Sequence, residues 1–191
     1  MPVIIIALIC VLVLSLSYNI TRDPIAGNII EKKLAAIEPV IPLPYNNKIS
    51  EDFITVTAPD YFNQQTVTVF RIRNNGKPTG VVIMPVNARG YSGEISLAIG
   101  IHYDGRIADT SIVTHNETKG IGDSVDQDKS DWLLIFRNRS LKNTPREAWD
   151  ISQNGGVYDQ ISGATITSRG VINAVRKTLE FYIANRDKLY Q

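Results

Sequence analysis

The chain contains 191 residues, of which 43% are hydrophobic and 20% are charged, and its net charge is +1. This composition is typical of a globular domain accompanied by a small additional segment. Because the charge is nearly neutral and the sequence has no basic stripe, we expect no nucleic-acid partner.

The cysteine and histidine content limits the chemistry further. The only cysteine is Cys10, so an intrachain disulfide or a cysteine-ligated cluster cannot form. The two histidines, His102 and His115, are far apart in the sequence and match no metal-ligand spacing. We therefore predict no metal site.

The first 20 residues carry no charged side chain, and residues 3–14 are entirely apolar. A helix of about 20 residues spans about 30 Å, the thickness of the hydrocarbon core of a bilayer. A buried core helix would show a polar face, and a cleaved signal peptide would begin with basic residues. The segment has neither feature, although Ser15-Leu16-Ser17 resembles a cleavage site. The sequence therefore predicts a transmembrane helix over residues 1–20.

A stalk is predicted to follow over residues 21–44. Its middle, residues 29–37, has the apolar spacing of a short amphipathic helix, and three prolines after it stiffen the chain. The basic residues of this region, Arg22, Lys32 and Lys33, would by the positive-inside rule alone place the rest of the chain in the cytoplasm.

Alternating apolar residues then predict two antiparallel hairpins, one within residues 66–86 around an Asn-Gly turn and one within residues 95–113 around an Asp-Gly turn. An apolar stripe with helical period occupies residues 168–190. The pattern predicts an α+β fold over residues 45–191, an antiparallel sheet with packed helices, preceded by the transmembrane helix.

Hydroxyl residues accumulate directly before the last predicted helix, in the stretch SGATITS at residues 162–168. One interpretation is an ordinary N-cap supplied by Thr167 or Ser168. Another is a phosphate-bearing ligand, because the free N–H groups and the dipole at a helix N-terminus attract anions. The stretch matches neither a P-loop nor a nucleophile elbow. Both interpretations remain open on the residues alone.

The segment DQISGAT, residues 159–165, resembles the flavinylation motif D-x-x-[ST]-G-A-T of the FMN-binding domain family. Two further segments, GYSGEI at residues 90–95 and HNETKGIGD at residues 115–123, are similar to two glycine-containing motifs of that family and occur in the same order. Together with the predicted membrane helix and stalk, the resemblance covers nearly the whole chain. It extends to the G subunits of Rnf-type electron-transport complexes and to the related C subunits of the sodium-pumping NADH:quinone reductase.

In that family a flavin transferase joins FMN, through its phosphate, to the last threonine of the motif. The resemblance therefore implies that Thr165 carries covalent FMN, with Thr167 as the second candidate. Asp159 would be recognised by the transferase. The residues that would shape the loop are Ser162, Gly163 and Ala164.

A second group of residues matches the family's loop beside the flavin ring. These residues are Glu117, Thr118, Gly120 and Gly122. The chain departs from the family where Lys119 replaces the usual proline, and a cation there either favours a negatively charged flavin or points into solvent.

The resemblance implies a single-pass flavoprotein of a bacterial inner membrane whose FMN domain faces the periplasm, contrary to the weak charge bias. It would relay electrons within an Rnf-type complex that couples NADH–ferredoxin electron transfer to ion translocation, without a catalytic residue of its own. Its expected partners are the membrane, the other membrane and peripheral subunits, and a flavin transferase. The alternatives are a C-type subunit of the sodium-pumping quinone reductase, a stand-alone membrane-anchored FMN reductase, and an adhesion domain without flavin.

Overall fold

The structure is a computed structural model that describes residues 37–63 and 65–191, together with Ile6, Cys10, Val11 and Ser15. These four residues are helical and exposed, and they belong to the first of two units, Met1–Ala35 and Ala36–Gln191. The rest of the predicted transmembrane helix and the predicted stalk up to residue 36 lie outside the described residues. No helix in the described part of the chain combines the length and the hydropathy of a membrane span.

The second unit is built on a five-stranded antiparallel sheet whose spatial order follows the chain. The strands are β1 Phe53–Thr57, β2 Thr66–Asn74, β3 Lys77–Arg89, β4 Glu94–His102 and β5 Ile107–Thr114. Each strand pairs with the next one along the chain. The β2–β3 hairpin closes on Asn75 and Gly76, whose φ angles of 50° and 74° suit the type I′ turn that tight hairpins prefer.

Two α-helices accompany the sheet, α1 at Pro59–Phe62 and α2 at Thr165–Leu189. The loops between β5 and α2 contain four short 3₁₀ helices, at Gly122–Val125, Trp132–Phe136, Arg146–Ala148 and Ser152–Asn154. Helix α2 lies across β3 and β4, and its apolar stripe is completely buried at Val171, Val175 and Leu179. This stripe packs against the sheet and forms part of the domain core.

The position of α2 depends on the absence of a side chain at Gly170. A Cβ atom at this residue would lie 2.0 Å from the backbone oxygen of Arg89, at the end of β3. Because that neighbour is backbone and cannot rotate away, any larger residue would push the helix off the sheet. The close approach brings the first turns of α2 against the end of β3.

The segment that precedes β1, from Ile37 onward, packs on the sheet. The 3₁₀ helix Glu38–Val40 contacts β4 and β5, and both Ile37 and Val40 are completely buried. Pro42 is buried as well. The last residues of the predicted stalk thus contribute apolar side chains to the folded unit.

The predicted α+β fold, an antiparallel sheet with a C-terminal helix, is confirmed. Three local features differ from the sequence-based expectation. Strand β1 and helix α1 did not stand out in the sequence, because one has five residues at the sheet edge and the other has four residues. Helix α2 begins at Thr165, three residues before the predicted start at Ser168.

We predict that Gly170→Ala destabilises the protein, although alanine is the better helix former. Helix propensity alone would stabilise the variant by about 1 kcal/mol. Overpacking against the Arg89 backbone should instead lower the free energy of unfolding by about 1–3 kcal/mol. Chemical denaturation of the full-length protein in detergent, followed by circular dichroism, measures this difference.

The matched control is Ala184→Gly, an exposed position of the same helix. It should cost about 1 kcal/mol through helix propensity alone. A stabilised Gly170→Ala variant would contradict the steric role that the structure assigns to this glycine.

Candidate functional site

The three glycine-containing motifs of the sequence meet at one cavity of about 310 Å³. One wall comes from the turn after β3, a second from the loop after β5, and a third from the start of α2. The residues that line it are Tyr91, Glu117, Thr118, Ile121, Gly122, Gly163, Ala164 and Thr167. Motifs that are far apart in the sequence therefore form a single site, of a size at the lower end of ordinary ligand pockets.

The carboxylate of Glu117 joins these three walls. The side chain is buried, with 7% of its surface exposed. The hydroxyl of Thr167 donates a hydrogen bond of 2.5 Å to Oε2, and the backbone N–H of Ser92 donates one of 2.9 Å to Oε1. Each carboxylate oxygen thus holds a different segment, and both bonds are of the strong, charge-assisted kind.

Two glycines make room for this carboxylate. A Cβ atom at Gly90 would lie 2.3 Å from Oε1 of Glu117, and one at Gly122 would lie 2.5 Å from Oε2. Both distances are far below van der Waals contact, so neither position accepts a side chain while Glu117 keeps its place. Gly122, predicted to lie by a flavin ring, also has this packing role.

His115 orients the backbone of Glu117. Its Nδ1 atom accepts a hydrogen bond of 3.1 Å from the Glu117 N–H, so this nitrogen carries no proton in the observed arrangement. The other ring nitrogen, Nε2, lies 3.6 Å from a carboxylate oxygen of Asp126. The imidazole ring therefore links the loop at Glu117 to the turn at Asp126.

The loop of residues 118–123 is held by hydrogen bonds among its own residues. The N–H groups of Ile121 and Asp123 both donate to the Thr118 oxygen at 3.2 Å, and Gly120 donates to Asp123 Oδ1 at 2.7 Å. This turn leaves Lys119 exposed, without an ion pair to any residue that the structure describes. Ile121 lines the cavity with 47% of its surface exposed.

The start of α2 has no side-chain cap. Its N-cap residue is Ala164, and the first intrahelical bond joins Ser168 N to the Ala164 oxygen at 2.9 Å. The predicted cap by Thr167 or Ser168 is therefore wrong. Thr167 binds Glu117 instead, and Ser168 Oγ donates to the Ala164 oxygen and accepts from Ile161 N, both at 3.0 Å.

Thr165 differs from its neighbours in having a free hydroxyl. It is the first residue of α2 and is half-buried, whereas Thr167 is completely buried. Within the described ranges, neither the hydroxyl of Thr165 nor the backbone N–H groups of residues 165–167 have a hydrogen-bond partner. Free N–H groups at a helix N-terminus, beside an available hydroxyl, suit a ligand that ends in an anionic phosphate.

The remaining predicted residues surround this helix start. Gly163 is exposed with a φ of 75°, a left-handed conformation that glycine adopts without strain, and Ser162 is also exposed. Asp159 points its carboxylate outward within 3.5 Å of the Ser152 hydroxyl, while its backbone oxygen accepts a hydrogen bond of 2.7 Å from the indole of Trp132. Of the ten predicted residues, six line the cavity, and Asp159, Ser162, Gly120 and Thr165 do not.

Sequence reasoning did not select two cavity residues, Tyr91 and Ile121. Tyr91 has 73% of its surface exposed, and both are large apolar residues facing solvent. Exposed apolar side chains grouped at a cavity mark a binding surface. The signal was present in the sequence, since each lies inside a glycine-containing motif where small or polar residues are otherwise expected.

Comparisons with known proteins find relatives that cover most of the chain. Residues 90–180 match the family model of the FMN-binding domain. The chain is 32% identical over 179 residues to the G subunit of the ion-translocating oxidoreductase complex of Pseudoalteromonas atlantica, covering 93% of this chain and 83% of that protein. It is 34% identical over 160 residues to the protein of the same name from Salmonella typhi, covering 83% and 77%.

Among solved structures, NqrC of Shewanella oneidensis is similar, with a TM-score of 0.52 and 22% identity over 80% of this chain and 72% of that one. At this identity the likeness supports the fold alone. The matched family model spans the three motifs that meet at the cavity, from Gly90 to the middle of α2.

We predict that Thr167→Val destabilises the protein by about 1–3 kcal/mol, because it leaves a buried carboxylate oxygen of Glu117 without its hydroxyl donor. Urea unfolding of the full-length protein in detergent measures the loss. Combining the variant with Glu117→Gln should give a coupling free energy clearly different from zero.

The matched control is Thr178→Val, at a second completely buried threonine of α2. Its hydroxyl bonds only the Ala174 oxygen of its own helix, at 2.8 Å, so its removal should cost less than about 1 kcal/mol. Equal losses for the two variants would show that the Glu117 bond has no special role.

Proposed function

The chain belongs to the FMN-binding domain family and, within it, to the G subunits of ion-translocating oxidoreductase complexes, and from this we propose that it relays electrons through a covalently bound FMN. The relay takes place inside an Rnf-type complex that couples NADH–ferredoxin electron transfer to ion translocation. The observation that carries the proposal is the meeting of the three motifs around one cavity beside an uncapped helix start.

Thr165 is the proposed attachment residue. Its hydroxyl is half-buried and free, whereas the hydroxyl of Thr167 is completely buried and already donates to Glu117. A transferase can therefore reach Thr165 without breaking the hydrogen bond that joins the site. The two threonines of the motif would have different roles, one for the cofactor and one for the fold.

Attachment forms a bond between Thr165 Oγ and the phosphorus of FMN, while the hydroxyl proton leaves. A bond from phosphorus to a leaving group breaks, so the donor must be an activated flavin phosphate such as a phosphoanhydride. The product is a phosphodiester that keeps one negative oxygen. This charge lies at the positive end of α2, where the free N–H groups of its first turn favour it.

The cavity beside Thr165 would hold the flavin ring. Tyr91 and Ile121 offer apolar surface to a flat ring, and the backbone at Gly163 leaves room for close approach. When bound, FMN supplies one-electron transfer, and the protein supplies position and electrostatics. Thr118 and Glu117 line the same cavity and fix the loop on which Ile121 lies.

The first 20 residues are proposed to span the inner membrane once, and the stalk over residues 21–44 to lead to an FMN domain on the periplasmic side. Covalent attachment has a physical reason there, because a compartment without free FMN cannot replace a cofactor that dissociates. The proposed partners are the other membrane and peripheral subunits of the complex and, during maturation, a flavin transferase. Asp159 is exposed at the start of the motif, where such an enzyme can contact it.

A C-type subunit of the sodium-pumping quinone reductase is the alternative that shares this architecture. The likeness to NqrC concerns the fold alone, whereas sequence relatives at 32% and 34% identity over most of the chain are G subunits. We therefore favour the Rnf-type assignment.

We expect the chain, coexpressed with a flavin transferase, to exceed its polypeptide mass by one FMN less one water. Thr165→Ala should lose this mass and the fluorescence of the denatured band in a gel, because no hydroxyl remains at the acceptor position. Thr165→Ser should keep both, since serine offers the same oxygen. Intact-mass spectrometry measures each variant.

Thr167→Val serves as the control, and its folded fraction should still carry the flavin. Fluorescence that persists in Thr165→Ala and disappears in Thr167→Val would move the attachment site to Thr167. A wild-type chain without flavin, despite an active transferase, would overturn the flavoprotein assignment.

The proposed orientation is tested by thiol labelling, which the single native cysteine makes simple. In a Cys10→Ser background, a cysteine placed at the exposed Lys142 should react with a membrane-impermeant maleimide once the outer membrane is opened. Labelling of Lys142→Cys only after the inner membrane is broken would place the domain in the cytoplasm.

A further inference from the structure

A second cavity, of about 430 Å³, lies along the exposed side of α2 and is not part of the proposed flavin site. We call it the arginine groove, because Arg89, Arg169 and Arg176 line it. Asp150 supplies the single carboxylate among the lining residues. The groove begins at Ile166, the residue that directly follows Thr165.

The arginine groove has an excess of positive charge that the domain does not neutralise. The guanidinium of Arg169 pairs with Asp150 at 3.2 and 3.4 Å, and Arg176 binds Glu180 at 2.5 Å. Glu180 also pairs with Arg146, at 3.1 Å, so two arginines share one carboxylate. The exposed side chain of Arg89 has no ion pair or hydrogen bond with any residue in the described ranges.

Two of the three arginines are held in place before any ligand arrives. Burial raises the pKa of Asp150, but the N–H of Ile151, Asn154 and Arg169 lower it more, so the pKa of this carboxyl lies below its ordinary value. The carboxylate that positions Arg169 therefore stays charged at neutral pH. Each guanidinium has five N–H donors, so both paired arginines keep donors for a further acceptor. Preorganised donors of this kind reduce the entropy lost on binding.

The shape of the arginine groove suits a protein segment. Its helix wall extends from Ile166 to Arg176, which at 1.5 Å per residue is about 15 Å. An extended chain of about five residues covers this length at about 3.3 Å per residue. Because Arg89, Ile166 and Arg169 are all exposed at the rim, the cavity is an open channel and does not enclose a small molecule.

We propose that the arginine groove docks an acidic segment of the flavin transferase and so places that enzyme over Thr165. This inference rests on the proposed function, because it needs Thr165 to be the flavin acceptor. Carboxylates of the segment would bind the three guanidinium groups, and an apolar side chain would contact Ile166, which has 53% of its surface exposed. Thr165 does not line the arginine groove, so a segment docked there leaves its hydroxyl accessible.

The position of the groove favours the transferase over other protein partners. An enzyme that modifies Thr165 must hold its flavin donor within bonding distance of Oγ, and therefore has to contact the surface around residue 165. The groove starts at the next residue, and the exposed Asp159 of the recognition motif lies six residues before the acceptor. The two features offer the enzyme one contact on each side of Thr165 along the chain.

The test measures the rate of flavin attachment to full-length protein in detergent by a purified transferase, followed as in-gel fluorescence over time. Arg89→Ala should lower kcat/KM about fivefold, and Arg89→Glu at least tenfold, mainly through KM. Both effects should shrink as salt rises to about 0.5 M, because exposed charges are then screened. Arg89→Lys should fall between wild type and Arg89→Ala, since it keeps the charge and loses the planar fork.

The matched control is Arg106→Ala, an exposed arginine in the turn between β4 and β5 whose carboxylate partner is Asp104. It should leave kcat/KM unchanged. Unfolding midpoints equal to wild type for the Arg89 variants confirm that the domain is intact.

An Arg89→Glu variant with the wild-type KM overturns the docking proposal. Normal flavin attachment combined with failure to assemble with the other subunits also overturns it, because the groove would then belong to the complex. In both cases wild type still carries flavin, so the proposed function stands. Wild type without flavin overturns the proposed function instead.

Discussion

The site depends on one buried carboxylate. A buried charge is unfavourable unless it is fully hydrogen-bonded, and Glu117 satisfies this condition with donors from two distant segments. The N–H of Ser92 lies 25 residues before it, and the hydroxyl of Thr167 lies 50 residues after it. The turn after β3, the loop after β5 and the start of α2 therefore have one relative position in which Glu117 is satisfied. The cavity is the space that remains between them.

The same constraint explains why α2 starts without a side-chain cap. The hydroxyl residues near its start satisfy other groups: Thr167 is bound to Glu117, and Ser168 bridges the Ala164 oxygen and the Ile161 N–H. The first N–H groups of the helix and the hydroxyl of Thr165 are left without partners in the described chain. Free donors at this position are costly for an empty helix end and favourable for an anion. An anion bound at this helix start would offset the stability lost at the cap.

Much of the sheet could be predicted because its signals are local. Asn75-Gly76 and Asp104-Gly105 mark the two central hairpins, and the apolar stripe marks α2. Strand β1 was missed because its side chains alternate only between exposed and half-buried and give little contrast. The interpretation of Thr167 or Ser168 as the N-cap was wrong for a different reason. The Glu117 carboxylate that accepts the Thr167 hydrogen bond is 50 residues away and cannot be read from the local sequence.

The residues of the candidate site were predicted unevenly for the same reason. Glu117 and Thr167 were selected because they lie in or beside the family motifs, and both line the cavity. Tyr91 and Ile121 were not selected although both lie inside the motifs, because an apolar residue is expected to be buried and only the folded loops show these two exposed. The arginine groove gives no sequence signal: Arg89 is 80 residues from Arg169, and a net charge of +1 conceals a local concentration of positive charge. Its formation depends on the contact between Gly170 and the end of β3.

The order of the strands has a consequence for maturation of the protein. Since β1 to β5 pair in chain order, the sheet can form as the ribosome releases each hairpin. Helix α2 follows the whole sheet in the chain, so the Thr167–Glu117 bond can close only after all five strands have been synthesised. Until α2 packs on the sheet, neither the uncapped helix start nor the arginine groove beside it exists. An enzyme that needs this surface would leave unfinished chains unmodified, and the flavin would label only chains that had completed folding.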